Sequence, residues 1–130
     1  MIDIGQLKDV STAKMFQKGS VIIRQGDGMP FSMYVILAGV VDVYKNYQKP
    51  KERFLATLRA GDFFGEMSLF LKKPRSATVI AAESTMVLEI DQQNAVEIMS
   101  RHPDISMTVI QTLCKRQKDT LKKIEDLSGI

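Results

Sequence analysis

Six short runs of β-branched and aromatic residues between residues 19 and 90 constrain the fold of this chain most. Glycines separate several of these runs at positions where tight turns are needed. Many short strands at close spacing are typical of small all-β domains. The sequence therefore predicts a barrel or jelly roll. The predicted strands are Ser20–Gln25, Met33–Ala38, Val40–Asn46, Phe54–Leu58, Ala77–Ala82 and Met86–Ile90.

The last of these runs shows a regular alternation. Met86, Leu88 and Ile90 alternate with Val87 and Glu89. Because successive side chains of a strand point to opposite faces, this pattern predicts a strand with one buried face and one exposed face.

The segments on either side of the predicted barrel differ from it. Residues 1–18 are short, polar and mixed, and we expect a helical stretch around Ile4–Val10. After the barrel, Asp91 is a suitable N-cap for a helix over Gln92–Ser100. Pro103 suits the first turn of a second helix. Its apolar residues recur at helical spacing, at Val109, Ile110, Leu113, Leu121, Ile124 and Leu127.

Size and composition restrict the class of protein. The chain has 130 residues, which suffices for one domain with its own core. Its longest apolar runs are far too short to span a membrane. The single cysteine, Cys114, excludes an internal disulfide and fits a reducing cytoplasm. The net charge is only +3, and the basic residues near Arg116 are interleaved with acidic ones, which predicts a solvated helix face rather than a nucleic-acid surface.

Residues 62–79 contain the groups that suit a sugar phosphate. Gly65 lets the main chain approach a ligand closely. Glu66 can accept a hydrogen bond from a sugar hydroxyl, and Arg75 can hold a phosphate through two parallel donors. The alternatives are a surface salt bridge for Arg75 and complementation of helix N-terminal charge for Glu66.

The order of these residues resembles the phosphate-binding cassette of the cyclic-nucleotide-binding domain family. The family pattern is Phe-Gly-Glu, a short apolar segment, and then Arg followed by small residues. Here it stands as Phe64-Gly65-Glu66-Met67-Ser68-Leu69 and Pro74-Arg75-Ser76-Ala77-Thr78-Val79. Residues 18–27 and 34–41 also resemble the family's first strands, and residues 101–105 resemble the start of its terminal helix.

The resemblance implies a fold and its divisions. It implies one domain over residues 1–130, mainly β, built as a double-stranded β-helix, the jelly-roll barrel, with an N-terminal helical segment and C-terminal helices. The expected divisions are a lead-in over 1–18, the barrel over 19–90 with the cassette at 62–79, and helices over 91–130.

The resemblance also implies a site for cAMP, and less surely for cGMP. Arg75, the Ser76 hydroxyl and the main-chain N–H groups of the cassette would bind the phosphate. Glu66 would face the ribose 2′-hydroxyl, and the base would lie between the barrel and the last helix. The expected cyclic-nucleotide-binding residues are Phe64, Gly65, Glu66, Met67, Ser68, Arg75, Ser76 and Ala77, with candidate base contacts at Thr120, Leu121 and Ile124. For those three, core or dimer packing is an equally good interpretation.

The function implied is a cytoplasmic sensor module that reports occupancy through its C-terminal helix to an effector protein or to a second copy. We expect no catalytic residue, metal, cofactor, membrane segment or bound nucleic acid. His102 is the single histidine, so a histidine-built metal centre is not supported. The alternatives are a barrel that binds no nucleotide and acts as a scaffold, or the ligand-sensing part of a longer transcription factor. We expect no DNA-binding helix-turn-helix within these 130 residues.

Overall fold

The computed structural model describes residues 12–128. Within this range the chain forms eight strands and three helices. The helices are α1 (Glu66–Leu71), α2 (Gln92–Arg101) and α3 (Pro103–Ser128). The strands are β1 (Thr12–Phe16), β2 (Val21–Ile23), β3 (Met33–Ala38), β4 (Val40–Lys45), β5 (Arg53–Arg59), β6 (Phe63–Phe64), β7 (Thr78–Ala81) and β8 (Thr85–Ile90).

The strands form two antiparallel sheets of four strands each. The first has the order β1-β8-β3-β6 and the second β2-β7-β4-β5. In the centre of the first sheet, Tyr34 on β3 lies opposite Glu89 on β8. Strands β2 and β3 follow each other in the chain but belong to different sheets, so the chain crosses between the sheets as it winds. This arrangement confirms the mainly β jelly-roll barrel with C-terminal helices.

Two clusters of buried apolar residues stabilise the molecule, one on each side of the first sheet. Val87 on β8 is fully buried in the cluster inside the barrel, and its neighbour Leu88 is buried in the cluster beneath the helices. The prediction of one exposed face for this strand is therefore wrong, because the helices cover the outer face of the sheet. Inside the barrel lie Tyr34, Ile36, Val41, Phe64, Val79 and Val87. Beneath the helices lie Met33, Val35, Phe63, Leu69, Leu88, Ile90, Ala95, Ile98, Ile105 and Val109.

The six predicted strands are confirmed, with ends that shift by at most two residues. The lead-in predicted over residues 1–18 is wrong at Thr12–Phe16, because this segment is strand β1 and pairs along β8. It is an edge strand whose first four residues are exposed, so it lacks the apolar alternation of a buried strand. Strand β6 has two residues, too few for a sequence pattern. The predicted helical stretch Ile4–Val10 lies outside the described residues.

The C-terminal helices follow their predicted starts. Asp91 caps α2 by accepting a hydrogen bond from the Asn94 main-chain N–H at 2.8 Å. In α3, a stripe at helical spacing faces the barrel: Ile105 and Val109 are buried, and Leu113 and Arg116 are half-buried. Every residue from 117 to 127 is exposed. Between residues 12 and 128, no helix is both long enough and apolar enough to cross a membrane.

Candidate functional site

A cavity of about 300 Å³ opens beside the cassette. All the residues predicted for the cassette site line it, so the structure brings them together around one volume. The facing wall is apolar and includes Val43, Leu58 and Val79, while α3 contributes Arg116. Ligand pockets commonly measure about 300–1,000 Å³, so this cavity falls at the small end of that range. The lining residues from the cassette are Phe64, Gly65, Glu66, Met67, Ser68, Arg75, Ser76 and Ala77.

Strand β6 and helix α1 carry the first part of the cassette to the cavity. The strand pairs with β3, and the chain then turns at Gly65, whose φ of 80° lies in the left-handed region. Helix α1 begins at Glu66 without a side-chain cap. Its first N–H groups have no partner within the helix and remain available to an acceptor in the cavity. Asp62 closes the preceding turn by accepting from the Arg59 main-chain N–H at 3.0 Å.

Gly65 is required by its neighbours as well as by its backbone conformation. A Cβ at this position would lie 2.9 Å from Nη1 of Arg75 and 3.1 Å from the Ser32 carbonyl oxygen. The sequence suggests that this glycine permits close approach of a ligand. The structure shows that it also permits close approach of the Arg75 guanidinium to the main chain.

The side chain of Arg75 is held at the cavity wall by three main-chain carbonyl groups. Nη1 donates to Ser32 at 2.6 Å and to Gly65 at 3.2 Å, and Nη2 donates to Pro30 at 2.7 Å. The residue is only 5% exposed. Among the described residues, these bonds occupy three of the five N–H donors of the guanidinium. The other two N–H donors have no hydrogen-bond partner among the described residues. Arg75 is not the surface salt bridge that the sequence leaves open.

Main-chain hydrogen bonds and nearby ionisable side chains also surround Arg75. Its N–H donates to the Asp27 carbonyl and its carbonyl accepts from the Gly26 N–H, both at 2.8 Å. Burial lowers the pKa of Arg75, while the nearby Tyr34, Glu89 and Asp27 act in the opposite direction. Since the ordinary pKa of arginine is above 12, the guanidinium stays charged and can serve as a permanent partner for a phosphate.

Glu66 is bound by an arginine that the sequence places on a solvated face. Nη1 of Arg116 donates to Glu66 Oε1 at 3.0 Å, and Nη2 donates to the Phe63 carbonyl at 2.9 Å. The guanidinium carbon also lies 4.6 Å from the centre of the Phe63 ring. The expectation of a solvated helix face is therefore wrong for Arg116. The sequence does indicate that Arg116 faces the barrel, because Val109, Leu113 and Arg116 share one side of the helix at positions i, i+4 and i+7.

The remaining cassette residues occupy different depths. Ser68 is buried, Ala77 is half-buried and Ser76 is exposed at the rim of the cavity. The Ser76 carbonyl accepts a hydrogen bond from Nζ of Lys45 at 2.8 Å. This bond brings a second cation to the rim, one that the sequence does not suggest.

The three candidate base contacts lie farther along α3. Thr120 is exposed, and its hydroxyl donates to the Arg116 carbonyl one helical turn earlier, at 3.0 Å. Leu121 and Ile124 are 52% and 55% exposed. None of the three lines the cassette cavity as the structure describes it. Their contact with a base remains a prediction that requires this part of α3 to approach the barrel.

Between residues 12 and 128, no group of three or more histidine, cysteine, aspartate or glutamate side chains is arranged to hold a metal ion. His102 lies at the end of α2, and its main-chain N–H donates to Ile98 at 2.9 Å.

Comparisons with known proteins point to one family. The profile of the cyclic nucleotide-binding domain matches residues 13–102, which contain all of the barrel strands but the first residue of β1. The cyclic AMP receptor protein of Thermus thermophilus is 29% identical over 115 residues, covering 88% of this chain and 53% of the relative. The Pycsar effector protein BcPycTIR of Burkholderia cepacia is 36% identical over 112 residues, covering 85% and 35% respectively.

The solved structures show the same fold. The catabolite activator protein of Thermus thermophilus superposes with a TM-score of 0.86 at 26% identity, over 96% of this chain and 58% of that protein. The chain thus spans between 35% and 58% of the length of these three proteins.

Proposed function

The chain belongs to the cyclic nucleotide-binding domain family, and from this premise we propose that it binds a cyclic nucleotide reversibly in the cassette cavity, without catalysis. One observation carries the proposal: the cassette residues converge on one cavity, beside a buried arginine that keeps two donors. A cyclic phosphate diester is a permanent monoanion, and a fixed guanidinium is suited to bind it.

The phosphate would be bound by two sets of donors. Arg75 offers its two remaining N–H groups from one wall of the cavity. The uncapped start of α1, from Glu66, offers main-chain N–H groups from another. The Ser76 hydroxyl lies at the rim, within the same lining. A ligand anchored in this way replaces its hydration shell with donors that are already in place.

The ribose would be recognised through Glu66. As a carboxylate it only accepts hydrogen bonds, so it suits a hydroxyl rather than a phosphate. Arg116 binds its Oε1 atom, while Oε2 can still accept from the ribose 2′-hydroxyl. A 2′-deoxy ligand would leave this half-buried oxygen without its donor, which lowers affinity.

The base would lie against the apolar wall of the cavity and below α3. We favour cAMP over cGMP, although the exposed Ser76 hydroxyl could also reach the amino group of a guanine. Arg116 links α3 directly to the ribose-binding carboxylate, so occupancy of the cavity would shift the population of α3 positions. We place the protein in the cytoplasm and assign α3 the role of reporting occupancy to an effector or a second copy.

A second candidate is the ligand-sensing part of a longer transcription factor. It is favoured by one observation: a cAMP-activated global transcriptional regulator of Salmonella typhimurium is 33% identical over 110 residues, and these cover only 52% of that protein. Both candidate functions require the same ligand in the same cavity. They differ only in the partner to which α3 reports that the ligand is bound.

Isothermal titration calorimetry with cAMP, cGMP and 2′-deoxy-cAMP tests the proposal. We expect saturable binding of cAMP, weaker binding of cGMP, and a loss of about tenfold for the 2′-deoxy analogue, in line with one lost hydrogen bond to a charged group. Linear 5′-AMP is the matched control, since it keeps the base and the ribose but opens the phosphate ring. Absence of heat with both cyclic nucleotides would leave the scaffold interpretation instead.

A further inference from the structure

Three planar groups pack together beside the cassette cavity. The Phe64 and Tyr34 rings are stacked with their centres 5.4 Å apart. The guanidinium carbon of Arg75 lies 5.7 Å from the centre of the Tyr34 ring. Phe64 lines the cassette cavity, Tyr34 lines a second cavity of about 200 Å³, and Arg75 lines both. The Tyr34 ring is therefore part of the partition against which Arg75 rests.

The hydroxyl of Tyr34 is fixed by an ion pair between the first two strands of the first sheet, β1 and β8. It donates to Glu89 Oε2 at 3.1 Å, and Glu89 Oε1 pairs with Nζ of Lys14 at 2.7 Å. Burial raises the pKa of Tyr34 to about 12, so the phenol stays neutral and keeps its donor. Burial alone would raise the pKa of Glu89, but its hydrogen bonds to Lys14, Tyr34 and Ser32 lower it, so the carboxylate stays charged.

A second route joins the same network to Arg75. Ser32 helps to lower the pKa of Glu89, and the carbonyl of Ser32 accepts from Nη1 of Arg75. Glu89 thus supports both the ring that Arg75 packs against and the loop that accepts its hydrogen bond. A role in core packing would explain why the Tyr34 ring is buried. It would not explain why the charged carboxylate of Glu89, whose side chain is only 16% exposed, binds the hydroxyl of that ring.

We propose that Tyr34, fixed by Glu89, is a positioning residue that sets the orientation of Arg75 toward the phosphate; this rests on the proposed function. A flat ring beside the guanidinium limits its rotation and favours the charged group through the negative face of the ring. Groups that bind a ligand gain affinity when neighbouring residues lock their conformation in advance. Arg75 supplies the positive charge, and Tyr34 and Glu89 fix the orientation of its side chain.

Three variants distinguish a positioning role of Tyr34 from a role in core packing alone. In Tyr34→Leu the ring is lost, and we expect cAMP to bind about tenfold more weakly, as for a lost cation–π contact in a desolvated site. In Tyr34→Phe the ring remains but its anchor to Glu89 is lost, and we expect a loss of about threefold. Tyr44→Leu is the matched control, because Tyr44 packs on Tyr47 and Phe54, and we expect wild-type affinity.

Two readouts report orientation and not stability. The first is the side-chain Nε–H signal of Arg75 by NMR, recorded without nucleotide. We expect it to shift in both Tyr34 variants and not in Tyr44→Leu; the shift in Tyr34→Phe supports the proposal, because that variant keeps the aromatic ring current that Tyr34→Leu removes. The second is the ratio of affinities for the two diastereomers of cAMP phosphorothioate, which differ in the phosphate oxygen replaced by sulfur. A turned guanidinium changes this ratio, whereas general destabilisation weakens both ligands equally.

The outcomes are distinct. An unmoved Arg75 signal together with an unchanged diastereomer ratio in folded Tyr34→Leu overturns the proposal. Should that variant not fold, Tyr34→Phe decides by the same two readouts. If the wild-type protein binds no cyclic nucleotide, the proposed function fails, and the Arg75 signal alone still decides whether Tyr34 sets its orientation.

Discussion

The cassette and the distal segment of α3, residues 117–127, differ in how firmly the barrel holds them. Arg75 is buried, with three side-chain bonds to carbonyl groups and two main-chain bonds to the loop before β3. The distal segment is exposed along its whole length, up to 89% at Leu127. From this difference we expect the proposed phosphate site to be formed in advance, whereas the exposed distal segment of α3 can change position at a lower cost.

Arg116 lies at the boundary between these two regions. It is the last residue of α3 that the structure describes as half-buried, and its ion pair with Glu66 joins the helix to the cassette. The Arg116 side chain is 36% exposed and that of Glu66 is 12% exposed, so the pair is partly screened by solvent and contributes modestly, about 1 kcal/mol. A bond of this strength holds the helix in place and still allows a ligand to release it.

The largest effect is expected for Arg75→Ala. We expect cAMP affinity to fall by about 2 kcal/mol or more, because a set of charged hydrogen bonds to the phosphate is lost. The free energy of unfolding should also fall by about 1–3 kcal/mol, because buried carbonyl groups lose their donor. Calorimetry and urea unfolding measure the two quantities, and Arg53→Ala on the exposed edge of β5 is the control. Near wild-type affinity in Arg75→Ala would remove Arg75 from the site.

A smaller effect is expected for Gly65→Ala, with Gly19→Ala as its matched control. Both glycines have positive φ, 80° and 88°, so each alanine costs about 1–2 kcal/mol of backbone strain. A Cβ at Gly19 meets no atom within 4 Å, whereas one at Gly65 lies 2.9 Å from Nη1 of Arg75. We therefore expect thermal unfolding to show a larger loss of stability for Gly65→Ala, and calorimetry a loss of cAMP affinity in that variant alone. Equal behaviour of the two variants contradicts the packing of Arg75 on Gly65.

The smallest effect is expected for Arg116→Ala. We expect a loss of stability of about 1 kcal/mol, because the ion pair is partly screened by solvent. Amide hydrogen exchange should become faster in the distal segment and remain unchanged in the cassette, since only the helix is released. Lys118→Ala, at an exposed position on the same helix, is the control. Faster exchange across the cassette as well would show that the two regions are one unit.

The sequence predicts the cassette well because the functional residues of the cassette lie close together in the chain. Gly65, Glu66 and Arg75 lie within eleven consecutive residues, and turn, helix start and cation follow in chain order. Strand β3 is equally well predicted, since its apolar run is continuous and ends at Gly39.

The interactions that the sequence does not reveal join distant parts of the chain. Arg75 binds Ser32 across 43 residues and Arg116 binds Glu66 across 50 residues, and no local pattern encodes such pairs. Strand β1 escapes prediction for a related reason, because Lys14 on this exposed edge pairs with Glu89 and so interrupts any apolar alternation.

The most direct test of the account is a cAMP titration followed by backbone amide NMR. The central claim is that a fixed guanidinium and the main-chain amides of the cassette bind a cyclic phosphate. We expect saturable shifts at residues 64–77, with further shifts at Arg116 and in the distal segment as α3 changes position. Unchanged cassette amides at saturating cAMP, or shifts confined to other surfaces of the barrel, would contradict the account.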